Sequence, residues 1–147
     1  FWEASYKSVA VFWETQGAIC HGHDLVGLEN IPESGGALLI YYHAAMPVDF
    51  FYVHSKVLLY RNRRMKIVAD NFLFKVPGLK SLLEVFEVTP GTVESCVSLL
   101  RDGHIVAISP GGSREALFSS HNYELLWGRR LGFAKTAMDA KIVIITQ

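Results

Sequence analysis

Apolar residues are distributed along this chain in two ways: short unbroken runs, and longer stretches where they return at helical spacing. ALLIYY, residues 37–42, is an unbroken run set off by Gly35 and Gly36, which predicts a buried strand. KIVAD at 66–70, the stretch at 85–89, the HIVAI that leads into SPGG, and IVII predict further strands. DLVGLEN at 24–30 reads as another, followed by the turn residues IPESGG. Helical spacing marks roughly 3–18, where Trp2, Phe12 and Trp13 lie on or near the apolar side. It also marks 47–60, with Pro47 suited to the first helical position. NFLFKVPGLKSLLEVFEV gives two helical pieces broken at Pro77-Gly78. Thr92 suits the cap of a helix reaching Arg101, and Gly103 suits the position just past its end. Two more helices are expected, one beginning near Ser113 and one over LGFAKTAMDAK.

Helices alternating with short apolar strands predict an α/β fold: a single domain, 1–147, with a largely parallel or mixed central sheet flanked by helices. No repeat, low-complexity tract or linker divides it. In such sheets functional loops gather beyond the carboxyl ends of the strands. His43 and the loop at Pro110-Gly111-Gly112 both occupy such positions.

Fourteen basic and fourteen acidic residues balance, so no global charge steers the chain toward nucleic acid. Half the residues are apolar, a proportion that fits a large core or a surface that meets lipid. The two cysteines, Cys20 and Cys96, are too few for a disulfide scaffold and read as small buried apolar residues. The opening FWEASYKSVAVFW has neither an initiator methionine nor a signal-peptide layout, so a fragment is expected, with a membrane anchor outside it. No apolar run approaches the ~20 residues that span a bilayer. The N-terminal aromatic helix has two readings, packing on the core or lying at a membrane interface.

Candidate chemistry lies in two loops. YYHAAMPVDF places His43 after a buried strand, with Asp49 expected as the third residue of the next helix. A carboxylate there can hold one imidazole nitrogen while the other takes a proton from a hydroxyl. The competing reading is a hydrogen-bonded core histidine and an acid favoured by the helix start. In SPGGSREA, 109–116, Gly111 and Gly112 allow a tight turn and close approach of backbone N–H groups to an anion. Arg114 can add bonds to a phosphate or carboxylate, and Glu115 can hold Arg114 or cap the helix. The loop is neither a Walker A loop nor a G-x-S-x-G elbow. HGHD, 21–24, would put His21 and His23 on one face of a strand, but no further ligands complete a zinc site. RNRRMK, 61–66, reads as a solvated helix end, or as a contact to lipid phosphates or an acidic substrate.

Together the two loops resemble the glycerolipid acyltransferase superfamily, and most closely its transmembrane acyltransferase-like branch near the diacylglycerol acyltransferases. The resemblance runs from HGHDLVGLENIP to IVII. The family's first motif separates histidine and aspartate by four residues, whereas five lie between His43 and Asp49, a spacing associated with this branch. Pro110, Gly111, Gly112, Ser113 and Arg114 match the frame of the third motif, with Gly111 where glutamate is usual. Glu115 and Ala116 then follow the glycine pair as in the diacylglycerol acyltransferase version, GG-x-x-EA. GRRLGFAKTAMDAKIVII is similar to that family's RKGF-containing segment. LFKVPGLKSLLEVFEV resembles the second-motif region, but the arginine that often binds glycerol phosphate is absent, with Val88 and Thr89 at its expected positions. IVIITQ lacks the prolines usual in the final motif, so part of the C-terminal region is expected to be missing or altered.

The resemblance implies acyl-CoA-dependent transfer to a glycerolipid hydroxyl, with His43 as base and Asp49 as its partner. Pro110, Gly111, Gly112, Arg114 and Glu115 would bind substrate, and no cofactor or metal is implied beyond acyl-CoA as donor substrate. The missing arginine favours a neutral monoacylglycerol or diacylglycerol acceptor, in triacylglycerol synthesis, over a lysophospholipid. Membrane lipid is the implied partner and the endoplasmic reticulum membrane the implied location, with the spanning part outside this chain. A lysophospholipid acyltransferase, a lipid hydrolase and a catalytically inactive lipid-binding protein of the same fold are the alternatives.

Overall fold

The computed structural model describes residues 2–79, 83–84 and 86–146, with the side chains of residues 2 and 3 excepted. The fold is α/β, with a central parallel sheet flanked by helices, as the alternation of patterns predicts. Its residues fall into two compact units, Phe1–Glu33 with Pro47–Arg64, and Ser34–Met46 with Met65–Gln147.

The second unit holds the sheet. Its strands are β1 (Ala37–Ile40), β2 (Met65–Ala69), β3 (Val88–Pro90), β4 (Ile105–Ile108) and β5 (Ile144–Thr146), in the order β3-β2-β4-β1-β5 with parallel pairing throughout. All four residues of β1 are buried, which is why its sequence is unbroken apolar rather than alternating. Leu38, Ile40 and Val106 pack with Cys96, Leu100 and Ala137 from α3 (Val93–Arg101) and α5 (Gly132–Ala140), with Trp127 and Phe133 at the margin of this core. Helix α3 is closed at both ends by its own sequence. The Thr92 hydroxyl accepts from Ser95 N–H at 3.1 Å. Gly103, at φ 86°, lets His104 N–H reach Leu99 O and its own N–H reach Leu100 O.

The first unit pairs α1 (Trp2–His21) with α2 (Val48–Arg61). Trp13 stacks on Phe51 at 5.2 Å, the Tyr6 hydroxyl meets His54 Nε2 at 2.8 Å, and Lys56 bonds Glu14 at 3.2 Å. The Tyr52 ring lies against Gly17 so closely that a methyl there would meet it at 2.9 Å. Trp13 is therefore a packing residue, whereas Phe12 faces outward. The Trp2 side chain lies outside the described residues. No helix among the described residues is long and apolar enough to cross a membrane.

Several expectations shift. DLVGLEN is not a strand: Gly27 takes φ 91° and Asn30 N–H bonds back to Gly27 O, giving a 3-10 turn at Leu28–Asn30. His21 ends α1 and bonds the Tyr52 hydroxyl at 2.9 Å, so the one-face arrangement of His21 and His23 does not form. Pro47 is the residue before α2 rather than its first, which makes Asp49 the second helical residue. Cys96 is buried as expected, but Cys20 is exposed. The helical piece before Pro77 is a single 3-10 turn, Leu73–Lys75. The piece after it falls largely on residues 80–82 and 85, outside the described residues, and the strand that follows is Val88–Pro90. The basic run is tied down: Arg61 bonds Leu28 O and Glu33, Arg63 bonds Pro32 O at 2.7 Å, and Arg64 lies over the Tyr6 ring.

Gly36 sets the entry to β1. A methyl there would overlap the Leu100 carbonyl at the end of α3. Gly36→Ala should therefore lower the unfolding free energy by about 1–3 kcal/mol, measured by chemical denaturation. A loss below about 0.5 kcal/mol would show that the helix end yields at little cost.

Candidate active site

Parallel pairing of β1 with β4 aligns Ile40 with Ile108, so the chain leaves both strands at the same edge of the sheet. The connection from β1 runs to β2 on one side, and that from β4 runs to β5 on the other. In a parallel sheet the loops that carry function gather at the carboxyl ends of the strands. His43 follows β1 there, and Pro110-Gly111-Gly112 follows β4.

His43 is half-buried, and its ring stacks near Tyr41 with centroids 6.5 Å apart. Its Nδ1 lies 2.9 Å from Ala44 O. A carbonyl oxygen only accepts, so Nδ1 carries the proton and Nε2 of the neutral ring holds the free lone pair. The bond is local, but it needs an unusual backbone. Ala44 sits at φ 50°, a left-handed conformation that costs a residue with a Cβ about 1–2 kcal/mol. Burial, with the Glu115 anion as a smaller cause, pushes the Tyr41 phenol far above its ordinary range. Tyr41 is thus a neutral neighbour of the imidazole and no base at physiological pH.

The second loop is a tight turn that uses part of its own backbone. Gly112 N–H bonds Ser109 O, and Arg114 N–H bonds Gly111 O. Gly112 takes φ 50°, which suits glycine. From outside, Arg130 donates to Pro110 O at 3.3 Å and Gly111 O at 2.7 Å. Pro110 and Gly111 are buried, Gly112 is half-buried and Arg114 is exposed. Glu115, in the first turn of α4 (Ser113–Phe118), is fully buried. Its Oε2 accepts from His43 N–H at 3.0 Å and from the Ser109 hydroxyl at 3.1 Å.

The sheet-bearing unit therefore joins His43 to the Pro110–Glu115 loop through a carboxylate. Asp49 is an exposed residue in the first turn of α2, in the other unit. Three participants escape a reading of the sequence: Ser109, Arg130 and the Ala44 carbonyl. Arg130 lies in the GRR run of the segment similar to the family's RKGF-containing segment, but nothing in the sequence marks its reach to the carbonyls of Pro110 and Gly111. The role of a backbone carbonyl leaves no trace in composition at all. Among the described residues no group of three His, Cys, Asp or Glu side chains is arranged to hold a metal ion.

The profile of the family described as "Acyltransferase" matches residues 23–147. The "DGAT1/2-independent enzyme synthesizing storage lipids" of Homo sapiens is 49% identical over 144 residues, which is 98% of this chain and 44% of that protein. Its Gallus gallus counterpart of the same name is 47% identical over 98% of this chain and 43% of its own length. "Phytyl ester synthase 1, chloroplastic" of Arabidopsis thaliana is 29% identical over 79% of the chain and 18% of its own length. The chain thus spans less than half the length of these relatives. No solved structure matches.

Arg130→Ala removes the guanidinium that holds the two loop carbonyls. Hydrogen exchange should quicken at the amides of Gly112 and Arg114, by about fivefold for a local loss near 1 kcal/mol. The amides of α3 should not change. Unaltered exchange in the loop would show that the turn is held by its own backbone bonds.

Proposed function

Because this chain belongs to the acyltransferase family, we propose that it forms the acyl-transfer site of an acyl-CoA-dependent glycerolipid O-acyltransferase acting on a neutral monoacylglycerol or diacylglycerol. The observation that carries the reading is the state of His43. A backbone carbonyl holds its Nδ1–H, which leaves Nε2 as a proton acceptor at the carboxyl end of β1. An acceptor hydroxyl gives its proton to Nε2 as its oxygen attacks the thioester carbonyl. The tetrahedral intermediate then collapses, the carbon–sulfur bond breaks, and the imidazolium returns the proton to the leaving CoA sulfur. No acyl-enzyme is needed, since both substrates react directly once held together.

Asp49 is the proposed carboxylate that offsets the imidazolium charge, on the strength of its spacing from His43 in the chain. With the Ala44 carbonyl fixing the tautomer, Asp49 contributes charge more than orientation. On the loop, Gly112 and Arg114 N–H are already engaged in the turn. Gly111 N–H, Ser113 N–H and the exposed Arg114 guanidinium are therefore the proposed donors to the oxyanion or the CoA phosphates. Pro110 and Gly112 shape that turn.

The acceptor follows from what the second-motif region lacks. Val88 and Thr89 of β3 stand where a phosphate-bearing acceptor would need an arginine. Relatives whose names refer to storage lipids agree with a neutral acceptor. Such acceptors are dissolved in the bilayer, so membrane lipid is a partner and the endoplasmic reticulum membrane the proposed setting.

The test is product formation from labelled acyl-CoA by membranes carrying the full-length protein. Monoacylglycerol, diacylglycerol and lysophosphatidate are supplied in separate reactions. Neutral acceptors should be used best, and His43→Ala at matched protein level should reduce the rate by about 10²–10⁴-fold. Preferential use of lysophosphatidate would refute the acceptor, and an active His43→Ala protein would refute the base.

A further inference from the structure

We propose that Glu115 is a positioning residue for this reaction, locking the His43 loop to the loop after β4, and that position 111 is glycine in order to admit its carboxylate. The proposal rests on the acyl-transfer reading and deepens it. Glu115 has no exposed surface, yet it carries an acid into the interior on a helix of only six residues. A buried carboxylate is retained only where hydrogen bonds repay its loss of water. Two are present, and they come from different strands. His43 N–H donates from the segment after β1, and the Ser109 hydroxyl from the segment after β4. One oxygen, Oε2, accepts both. The base and the glycine loop are thereby pinned to a common atom rather than merely placed at the same edge of the sheet.

Gly111 explains how the carboxylate fits. A Cβ built on Gly111 would overlap the carboxyl group of Glu115. Gly111 does not have a positive φ, so its backbone would accept an ordinary residue. The requirement for glycine here is one of space, imposed by Glu115. The other carboxylate oxygen, Oε1, is buried with no hydrogen-bond partner among the described residues. That isolation follows from holding Oε2 on His43 and Ser109. The bond that the Glu115 carboxylate accepts from His43 N–H lies directly before Ala44, whose carbonyl orients the imidazole. Displacing His43 N–H therefore displaces the Nδ1 bond and with it Nε2.

The experiment uses the full-length protein in membranes and compares wild type with Glu115→Ala, Glu115→Gln, Gly111→Ala, and Gly111→Ala combined with Glu115→Ala. Gly36→Ala serves as a destabilised control away from the site. Glu115→Ala should lower kcat on the order of tenfold or more per folded protein, with KM changed by less than about twofold. Glu115→Gln keeps an oxygen that accepts from both donors and should recover kcat to within about threefold of wild type. Gly111→Ala should be harmful alone but nearly neutral on top of Glu115→Ala, because the overlap has gone. Gly36→Ala should keep its kcat per folded protein. The proposal is overturned if Glu115→Ala loses only folded protein, if Gln fails to rescue, or if Gly111→Ala is equally harmful in both backgrounds. A wild type that needs His43 but not Glu115 defeats this proposal alone. A wild type indifferent to His43 defeats the acyl-transfer reading, and this proposal with it.

Discussion

Parallel pairing between β1 (Ala37–Ile40) and β4 (Ile105–Ile108) brings together two segments that lie far apart in the chain. Each strand is short and the residues of β1 are buried on both faces. The pair is therefore held by backbone hydrogen bonds in a dry setting, where a slip of one residue would exchange the two buried faces. Register is fixed by that constraint, and with it the level at which the chain leaves each strand. His43 and the Pro110-Gly111-Gly112 turn owe their common location to this register.

From that edge outward, control passes from the sheet to polar atoms. The Ala44 carbonyl selects the imidazole tautomer, at the cost of a left-handed alanine. The Glu115 carboxylate spans the two loops, and Arg130 closes the glycine turn from the other side through two carbonyl oxygens. Local strain, a buried charge and an orphaned carboxylate oxygen thus occur within a few residues of one histidine. The core behind them, Leu38, Ile40, Cys96, Leu100, Val106 and Ala137, contains none.

The helical unit is built on different terms. Its polar residues are used for packing: Tyr52 with Gln16 and His21, Tyr6 with His54, and Lys56 with Glu14. Even the basic run at 61–64 holds its own unit, through the carbonyls of Leu28 and Pro32 and the ring of Tyr6.

Legible in the sequence alone were the strands β1 (Ala37–Ile40, within the apolar run 37–42) and β4 (Ile105–Ile108), the helix capped by Thr92 and closed by Gly103, and the two loops worth attention. Unbroken apolar runs, cap residues and glycines act within a few positions of themselves, so their effects are local and legible. Its reading of DLVGLEN as a strand failed for the same local reason, since the left-handed Gly27 turns the chain before any partner strand can be met. Membership of the acyltransferase family was also within reach of the sequence, because the two loop motifs are contiguous. The wiring between those loops emerges only once the chain has folded. Glu115 read as a partner for Arg114 or a helix cap because those are its neighbours in sequence. Pairing of β1 with β4 instead set it beside His43 N–H and Ser109, and made the glycine at 111 a matter of space. Contacts made across such a distance in the chain depend on strand order and register, which no local pattern encodes.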